Sequence, residues 1–171
     1  MAFEHVQAAV DAKLKKLGIK LKCKVWHLSE GESWSCSKIC SRSHIHVIHL
    51  NPQDVKSRML ARQNLQHLLL HEYGHVFFCK YVRKKETAKL KELFGDVDKS
   101  YRRDMKKKFI EPDFISTYAQ VHPEDNFCEV FAVYVSFCGD MQKIKKFLKQ
   151  KKKSDKVLKQ ILWIDKFIKK R

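Results

Sequence analysis

The chain has 171 residues, a hydrophobic fraction of 44%, five glycines and three prolines. This length and composition predict a single globular domain with its own core and argue against long disordered linkers. No run of 18 apolar residues occurs, so we expect no transmembrane helix. The start of the chain shows no basic segment followed by an apolar one, as a secretory signal has, so we expect a cytoplasmic protein, with unconventional export as the alternative.

The chain is strongly basic, with a net charge of +17 and 29 lysines against seven arginines. A surface of that charge can bind nucleic acid, acidic partners or anionic membranes non-specifically and in a salt-dependent way. Base recognition, however, favours arginine, which makes bidentate and stacking contacts. The composition therefore predicts at most weak polyanion binding.

Six cysteines occur at irregular spacing, which indicates reduced thiols rather than a disulfide scaffold. Three of them lie in apolar helical contexts and are predicted to be small buried hydrophobes: Cys79, Cys128 and Cys138. Cys36 and Cys40, with His44 four residues later, could supply a second metal site, although zinc-binding cysteine pairs are usually separated by two residues.

The first third of the sequence predicts a helix followed by a small sheet. Apolar residues recur at helical spacing over residues 3–17, and Gly18 is a typical helix end. Residues 19–25 alternate between apolar residues and lysine, which predicts a half-buried strand, and residues 29–43 form a predicted loop. A second strand is predicted over residues 45–50, and its open edge could pair with an extended peptide.

In one stretch, two histidines and a glutamate have the spacing of a metal-binding motif. His71-Glu72-Tyr73-Gly74-His75 reads H-E-x-x-H within a helix predicted over residues 57–83. Positions i and i+4 of a helix lie on one face, so both imidazoles can reach one zinc ion. Glu72 lies beside them, where it can contact a metal-bound water.

Three other histidines have simpler interpretations than metal binding. His44 and His46 share one face of the second predicted strand and are interpreted as exposed strand residues, with metal ligation as the alternative. His67 lies one turn before His71 and is predicted to be a partly buried, hydrogen-bonded residue rather than a ligand.

A second functional helix is predicted to begin at Pro123, since proline suits the first helical position. Glu124 and Asp125 in its first turn would stabilise the helix dipole, which is sufficient reason for two acids there. Glu129 lies one turn after Asp125 on an otherwise apolar helix, and a carboxylate pair facing a core needs a partner. Two zinc-binding histidines would be such a partner.

The remaining segments are predicted to be mostly helical. Residues 84–93 continue or restart a helix, and residues 100–109 predict a short exposed helix or a mobile flap. Residues 140–152 and 154–170 predict two basic amphipathic helices. We expect the last helix to pack against the domain, with a detachable partner- or polyanion-binding arm as the alternative. Its apolar stripe consists of Val157, Ile161, Ile164 and Ile168.

Several of these motifs together resemble zinc-binding metallopeptidases of the gluzincin type. The likeness covers residues 71–134 and rests on His71-Glu72-Tyr73-Gly74-His75, Phe94-Gly95-Asp96, Phe114-Ile115-Ser116-Thr117-Tyr118-Ala119, His122-Pro123 and Glu129. Anthrax lethal factor has a comparable arrangement of a downstream tyrosine and an acidic ligand. The resemblance implies a zincin-like fold, one Zn²⁺ ion as cofactor, and peptide or protein substrates.

The resemblance also implies roles for individual residues. His71 and His75 would bind zinc, and Glu72 would be the general base. The third ligand position falls on Asp125, where the family ordinarily has glutamate, and the acid that usually holds a histidine N–H falls on Glu129. Because aspartate is one methylene shorter, Glu129 and Glu124 stay open as the third ligand.

Two further residues are candidates for contacting the developing oxyanion or the substrate. Tyr118 is assigned to catalysis chiefly on the resemblance, and its alternative is a buried aromatic residue with a satisfied hydroxyl. For His122 the simpler interpretation is a helix cap.

We therefore expect an α+β, mostly helical zincin-like domain over residues 1–171. A helix and a small N-terminal sheet occupy residues 1–52, the metal-site helices residues 53–138, and the basic helices residues 139–171. The predicted function is a zinc-dependent endopeptidase in which zinc activates water and Glu72 is the general base. The alternatives are a basic nucleic-acid- or partner-binding protein with a structural zinc site, and a catalytically silent zincin.

Overall fold

The computed structural model describes residues 2–21, 23–27, 34–36, 46–50, 65–82, 87–98 and 111–171. Its strands are β1 (Cys23–His27), β2 (Trp34–Cys36) and β3 (His46–Leu50). Its helices are α1 (Ala2–Lys16), α2 (Leu65–Phe77) with a π-helical turn (Phe78–Val82), α3 (Thr87–Phe94), a 3-10 turn (Tyr118–Gln120), α4 (Pro123–Ser136), α5 (Met141–Gln150) and α6 (Asp155–Lys169). The chain is thus α+β and mostly helical with a small N-terminal sheet, as predicted.

Some predictions lie outside the described residues. They concern the helix predicted over residues 57–64, the segment 100–109, and the side chains of Cys36, Cys40, His44 and His46. The second metal site proposed for the two cysteines therefore stays a prediction.

The first helix ends as the sequence predicts, but the strand after it begins later. Gly18 has a φ of +69°, which glycine adopts without strain, and Val10 and Leu14 are buried. The Ile19 N–H donates to the Leu14 carbonyl at 2.9 Å, so residue 19 still belongs to the helix end. The sheet consequently starts at Cys23, and the prediction of a strand from residue 19 was wrong at this boundary.

The sheet has the order β1-β3-β2, with β1 parallel and β2 antiparallel to β3. β2 lies inside residues 29–43, which the sequence predicted as a loop, because its three residues form a strand only by pairing with β3. β3 is the central strand. The prediction that its edge is open for a peptide was therefore wrong, since both of its sides are occupied.

The helices α2 and α4 pack against each other, and α2 also contacts the sheet. Their contact is aromatic: the Phe77 ring lies 4.9 Å from that of Phe131 and 6.4 Å from that of Phe127. The core is continuous behind these rings, and burial of such large apolar surfaces is the main stabilising contribution to the fold. The position of α2 relative to α4 is thus fixed by the core.

The two basic C-terminal helices are part of this core. The predicted apolar stripe of α6 is buried, with exposures of 0%, 0%, 1% and 8% for Val157, Ile161, Ile164 and Ile168. The idea of a detachable C-terminal arm was therefore wrong. Among the helices that the structure describes, none is long and apolar enough to cross a membrane.

Candidate metal centre

The H-E-x-x-H motif lies on α2, facing the N-terminal half of α4. His71 and Glu72 are only 3% and 5% exposed, whereas the His75 side chain is 23% exposed. Gly74 makes this close packing feasible, since a Cβ atom there would lie 2.9 Å from the Cα atom of Cys128. The glycine is therefore required by the approach of the two helices.

Three donor atoms converge between the helices. The Nε2 atoms of His71 and His75 lie 3.2 Å apart. The Oδ1 atom of Asp125 lies 3.7 Å from the first and 3.5 Å from the second. The structure thus brings together the two motif histidines and one of the three candidate acids.

The other two acids contact the opposite sides of the imidazole rings. Glu129 Oε1 lies 2.8 Å from His71 Nδ1, and Glu124 Oε1 lies 2.9 Å from His75 Nδ1. Glu129 Oε1 also lies 3.3 Å from Nε2 of His67, which is hydrogen-bonded as predicted. Burial raises the pKa of Glu129, but the two histidines outweigh burial and hold that pKa well below its ordinary value.

The arrangement suits a cation between the Nε2 atoms. When each Nδ1–H donates to its carboxylate, each neutral imidazole has a lone pair on Nε2. Two such lone pairs 3.2 Å apart repel each other unless a proton or a cation lies between them. A tetrahedral ion with ligand bonds of about 2.0–2.2 Å holds its donor atoms about 3.3–3.6 Å apart, close to the spacing of His71, His75 and Asp125. The residues therefore fit a zinc ion.

The electrostatic surroundings favour positive charge at the same place. Burial opposes protonation of His71, but the nearby carboxylates of Asp125 and Glu129 outweigh it and raise the pKa of this imidazole to about 9. Burial also opposes protonation of His75, but Cys128, Asp125 and Glu124 outweigh it and raise the pKa of this imidazole well above its ordinary value. A site that stabilises imidazolium in this way also stabilises a bound metal ion.

Cys128 is a residue near the site that sequence reasoning interpreted only as a buried hydrophobe. It is buried, as predicted, but its thiol lies within 4.8 Å of donor atoms of His71 and His75. Burial raises the pKa of the Cys128 thiol to about 12, which keeps it protonated in the metal-free protein. Its position one turn after Glu124 on α4 is the signal that could have placed it near the site. Cys79 and Cys138, by contrast, are only partly buried.

Glu72 follows His71 directly on α2. Its side chain is buried, and its Oε2 atom has no hydrogen-bond partner among the described residues. A buried carboxylate oxygen without a partner is costly unless it serves a ligand or a reaction.

The remaining two candidates lie next to the site in different roles. The ring of Tyr118 contacts that of His71 edge-on, with centroids 5.2 Å apart. His122 is the N-cap of α4, and its Nδ1 accepts a 3.2 Å hydrogen bond from the Glu124 backbone N–H. The structure therefore bears out the helix-cap interpretation of His122.

Comparison with known proteins agrees with a zinc centre. The chain is 28% identical over 74 residues to uncharacterized proteins of Mycobacterium tuberculosis and Mycobacterium bovis, a match of 38% of this chain and 22% of each relative. The chain thus matches only about a fifth of the length of these relatives. No solved structure is significantly similar to it. A family model described as "Putative zinc-binding metallo-peptidase" matches residues 53–169, more than half of the chain, and the protein therefore belongs to this family.

Proposed function

We propose that the protein is a zinc-dependent endopeptidase of the gluzincin type, and that His71, His75 and Asp125 hold the metal ion. One observation carries the proposal: the two Nε2 atoms and Asp125 Oδ1 converge at 3.2–3.7 Å. Two histidines and one carboxylate form a typical catalytic zinc site, which leaves a position for the reacting groups.

Asp125 is the acid best placed to be the third ligand. Its Oδ1 is on the Nε2 side of both imidazoles, whereas Glu129 and Glu124 contact the Nδ1 atoms on the far sides. Both glutamates are thereby assigned to orienting a histidine, the usual role of a carboxylate behind a metal ligand. The shorter side chain of aspartate is adequate because Gly74 allows α4 to approach α2 closely.

The chemistry divides between the metal and the protein. A bound zinc ion supplies Lewis acidity, which makes water easier to deprotonate and polarises the scissile carbonyl. Glu72 accepts the proton of the attacking water at its unpartnered Oε2 and later delivers it to the leaving amine. Tyr118, beside His71, is assigned to donating its hydroxyl hydrogen to the developing oxyanion.

Substrate access is expected from the His75 side of the site. The His75 and Glu124 side chains are 23% and 26% exposed, whereas those of His71 and Glu129 are 4% and 0% exposed. A peptide therefore meets His75 and Glu124 first, while His71 and Glu129 form the closed wall of the site.

The variant Glu72→Gln tests the mechanism. Because glutamine has nearly the same shape as glutamate and Glu72 is not a proposed ligand, the zinc content should be unchanged. Glutamine cannot accept the proton of the attacking water. The kcat for an internally quenched peptide should fall by roughly 10²- to 10⁴-fold, the usual contribution of general base catalysis. Zinc content is measured by atomic emission and cleavage by fluorescence.

The same experiment separates the alternative functions. Undiminished cleavage by Glu72→Gln would contradict the assigned base. A zinc-loaded wild-type protein that cleaves no member of a broad peptide library would contradict the peptidase assignment and favour a silent zincin or a structural zinc site.

A further inference from the structure

The segment that carries Tyr118 has little regular structure of its own. We call residues 111–122 the Tyr118 loop; before α4 they contain only one 3-10 turn. The Gln120 side chain accepts a 2.7 Å hydrogen bond from the Glu111 backbone N–H, which closes the loop on itself. Its position relative to α2 therefore needs contacts outside the loop.

The junction between α5 and α6 supplies such contacts at the base of the loop. The Ser154 backbone N–H donates to the Pro112 carbonyl at 3.0 Å, and the Ser154 hydroxyl donates to Asp113 Oδ1 at 2.5 Å. The Lys156 ammonium lies 3.8 Å from Asp113 Oδ2 and 5.4 Å from the centroid of the Phe114 ring. A backbone hydrogen bond, a side-chain hydrogen bond and an ion pair thus all join the loop to the same junction.

Ser154 uses its hydroxyl in a way that its position in α6 does not require. It is the N-cap residue, where a serine oxygen usually accepts a hydrogen bond from the first turn of the helix. The Ser154 side chain makes no such bond. Asp140, the N-cap of α5, does make it, accepting from the Gln142 and Lys143 N–H groups at 3.1 Å. The Ser154 hydroxyl therefore serves the Tyr118 loop rather than its own helix.

The junction is a rigid point of attachment. Ile144 and Leu148 of α5 and Val157 and Ile161 of α6 are buried in the core on either side of it. A functional side chain on a loop needs such support if its position is to be maintained.

We propose that Ser154 and Asp113 are positioning residues whose hydrogen bond ties the Tyr118 loop to the core and so holds Tyr118 against His71. The catalytic consequence of this contact rests on the proposed peptidase function, whereas the attachment of the loop does not. The basic C-terminal helices then support the candidate active site by holding the Tyr118 loop in position.

Hydrogen–deuterium exchange of the metal-free, full-length protein tests the attachment without reference to activity. Ser154→Ala should speed exchange of the backbone N–H groups of residues 111–121 by roughly five- to tenfold, the effect of one lost hydrogen bond. Ser154→Thr should restore slow exchange because it keeps the hydroxyl. Asp140→Ala, the matched control, should speed exchange in α5 only. Unchanged exchange of the loop in Ser154→Ala would overturn the proposal.

Cleavage of an internally quenched peptide by the zinc-loaded protein tests the catalytic consequence. Ser154→Ala should lower kcat by roughly tenfold with little change in KM, because Tyr118 is assigned to act only as the oxyanion develops. In a Tyr118→Phe background the same change should have no further effect. Asp140→Ala should leave kcat unchanged although it removes an observed helix cap.

The outcomes of the two experiments are distinct. The positioning role would be overturned if the losses of kcat in Ser154→Ala and Tyr118→Phe multiply in the double variant. It would also be overturned if Ser154→Ala and Asp140→Ala lower kcat equally. If the wild-type protein cleaves no peptide, the peptidase proposal fails, and the exchange measurement alone decides whether Ser154 holds the loop.

Discussion

At the scale of single residues, each motif histidine uses both of its ring nitrogens. Nδ1 of His71 contacts Glu129 and Nδ1 of His75 contacts Glu124, while the two Nε2 atoms face each other near Asp125. Contact with the carboxylates fixes the tautomer and the ring orientation, which leaves the Nε2 lone pairs for a metal ion.

This division of roles predicts different effects for two acids. Asp125→Ala removes a proposed ligand, whereas Glu129→Gln removes only the negative charge behind His71. We expect Glu129→Gln to weaken zinc binding by about 10- to 100-fold and Asp125→Ala to weaken it further. Competition with a chromogenic chelator measures both affinities. The opposite order would assign the third ligand position to Glu129.

The raised pKa of His71 predicts how the stability of the metal-free protein depends on pH. Because the folded-state pKa of about 9 exceeds the ordinary value of 6.5, protonation of His71 stabilises the fold. This contribution is complete below pH 6.5 and is lost as the pH rises through about 9. The Tm of chelator-treated protein should therefore fall over this range.

The pH dependence of zinc binding provides a comparison with the stability of the metal-free protein. Protons and zinc compete for the same imidazole, so zinc binding should strengthen over the pH range in which the metal-free protein loses stability. A Tm of the metal-free protein that rises between pH 6.5 and 9 would contradict the described surroundings of His71.

At the scale of elements, the site depends on how closely α4 approaches α2. Gly74 allows this approach, since a Cβ atom there would lie 2.9 Å from Cys128 Cα and 3.2 Å from Cys128 Sγ. The backbone contact cannot be relieved by a side-chain rotation, so a larger residue must push the helices apart. Asp125, the short side chain on α4 that we propose as a ligand, would then move away from the two histidines.

Gly74→Ala should therefore lower both stability and zinc affinity. Alanine gains about 1 kcal/mol over glycine in helix propensity, but overpacking against a backbone atom costs about 1–3 kcal/mol. We expect a net loss of up to about 2 kcal/mol in the free energy of unfolding by urea denaturation. Gly18→Ala is the control: it strains a positive φ but meets no atom within 4 Å, so it should destabilise the protein without changing zinc affinity.

At the scale of the whole molecule, positive charge is concentrated on α5 and the turn after it. Residues 141–153 contain seven lysines and no acidic residue. Six of these lysines are exposed: Lys143, Lys145, Lys146, Lys149, Lys151 and Lys152. The apolar side of α5 is turned to the core through Ile144 and Leu148, so the exposed side offers charge without an apolar surface for membrane insertion.

This lysine face predicts weak, salt-sensitive binding to duplex DNA that is independent of zinc. Lys145→Glu with Lys149→Glu should weaken binding by roughly tenfold or more in 50 mM salt and flatten its salt dependence, as loss of phosphate contacts requires. Fluorescence anisotropy of a labelled duplex measures this effect. Lys15→Glu with Lys16→Glu on α1 is the matched control. If both double variants lose the same DNA affinity, the binding depends on net charge alone and not on the lysine face of α5.

The sequence by itself determined the features that depend on local periodicity and spacing. It predicted α1 with its glycine end, α4 from Pro123, the two C-terminal helices and the α+β class, because caps and apolar stripes act within a few residues. It also predicted that His71 and His75 share a helix face. These features need no knowledge of distant contacts.

Only the tertiary structure decided which distant groups meet. β2 and the central place of β3 depend on strand pairing, and the choice of Asp125 over Glu124 and Glu129 as the acid on the Nε2 side depends on how α4 packs against α2. Three acids within six residues of one helix cannot be ranked by spacing, since each could reach a histidine. The contact of Ser154 with Asp113 joins residues 41 positions apart, and no periodic pattern records such a pair. Packing of the core sets these distances, and a local sequence pattern does not contain them.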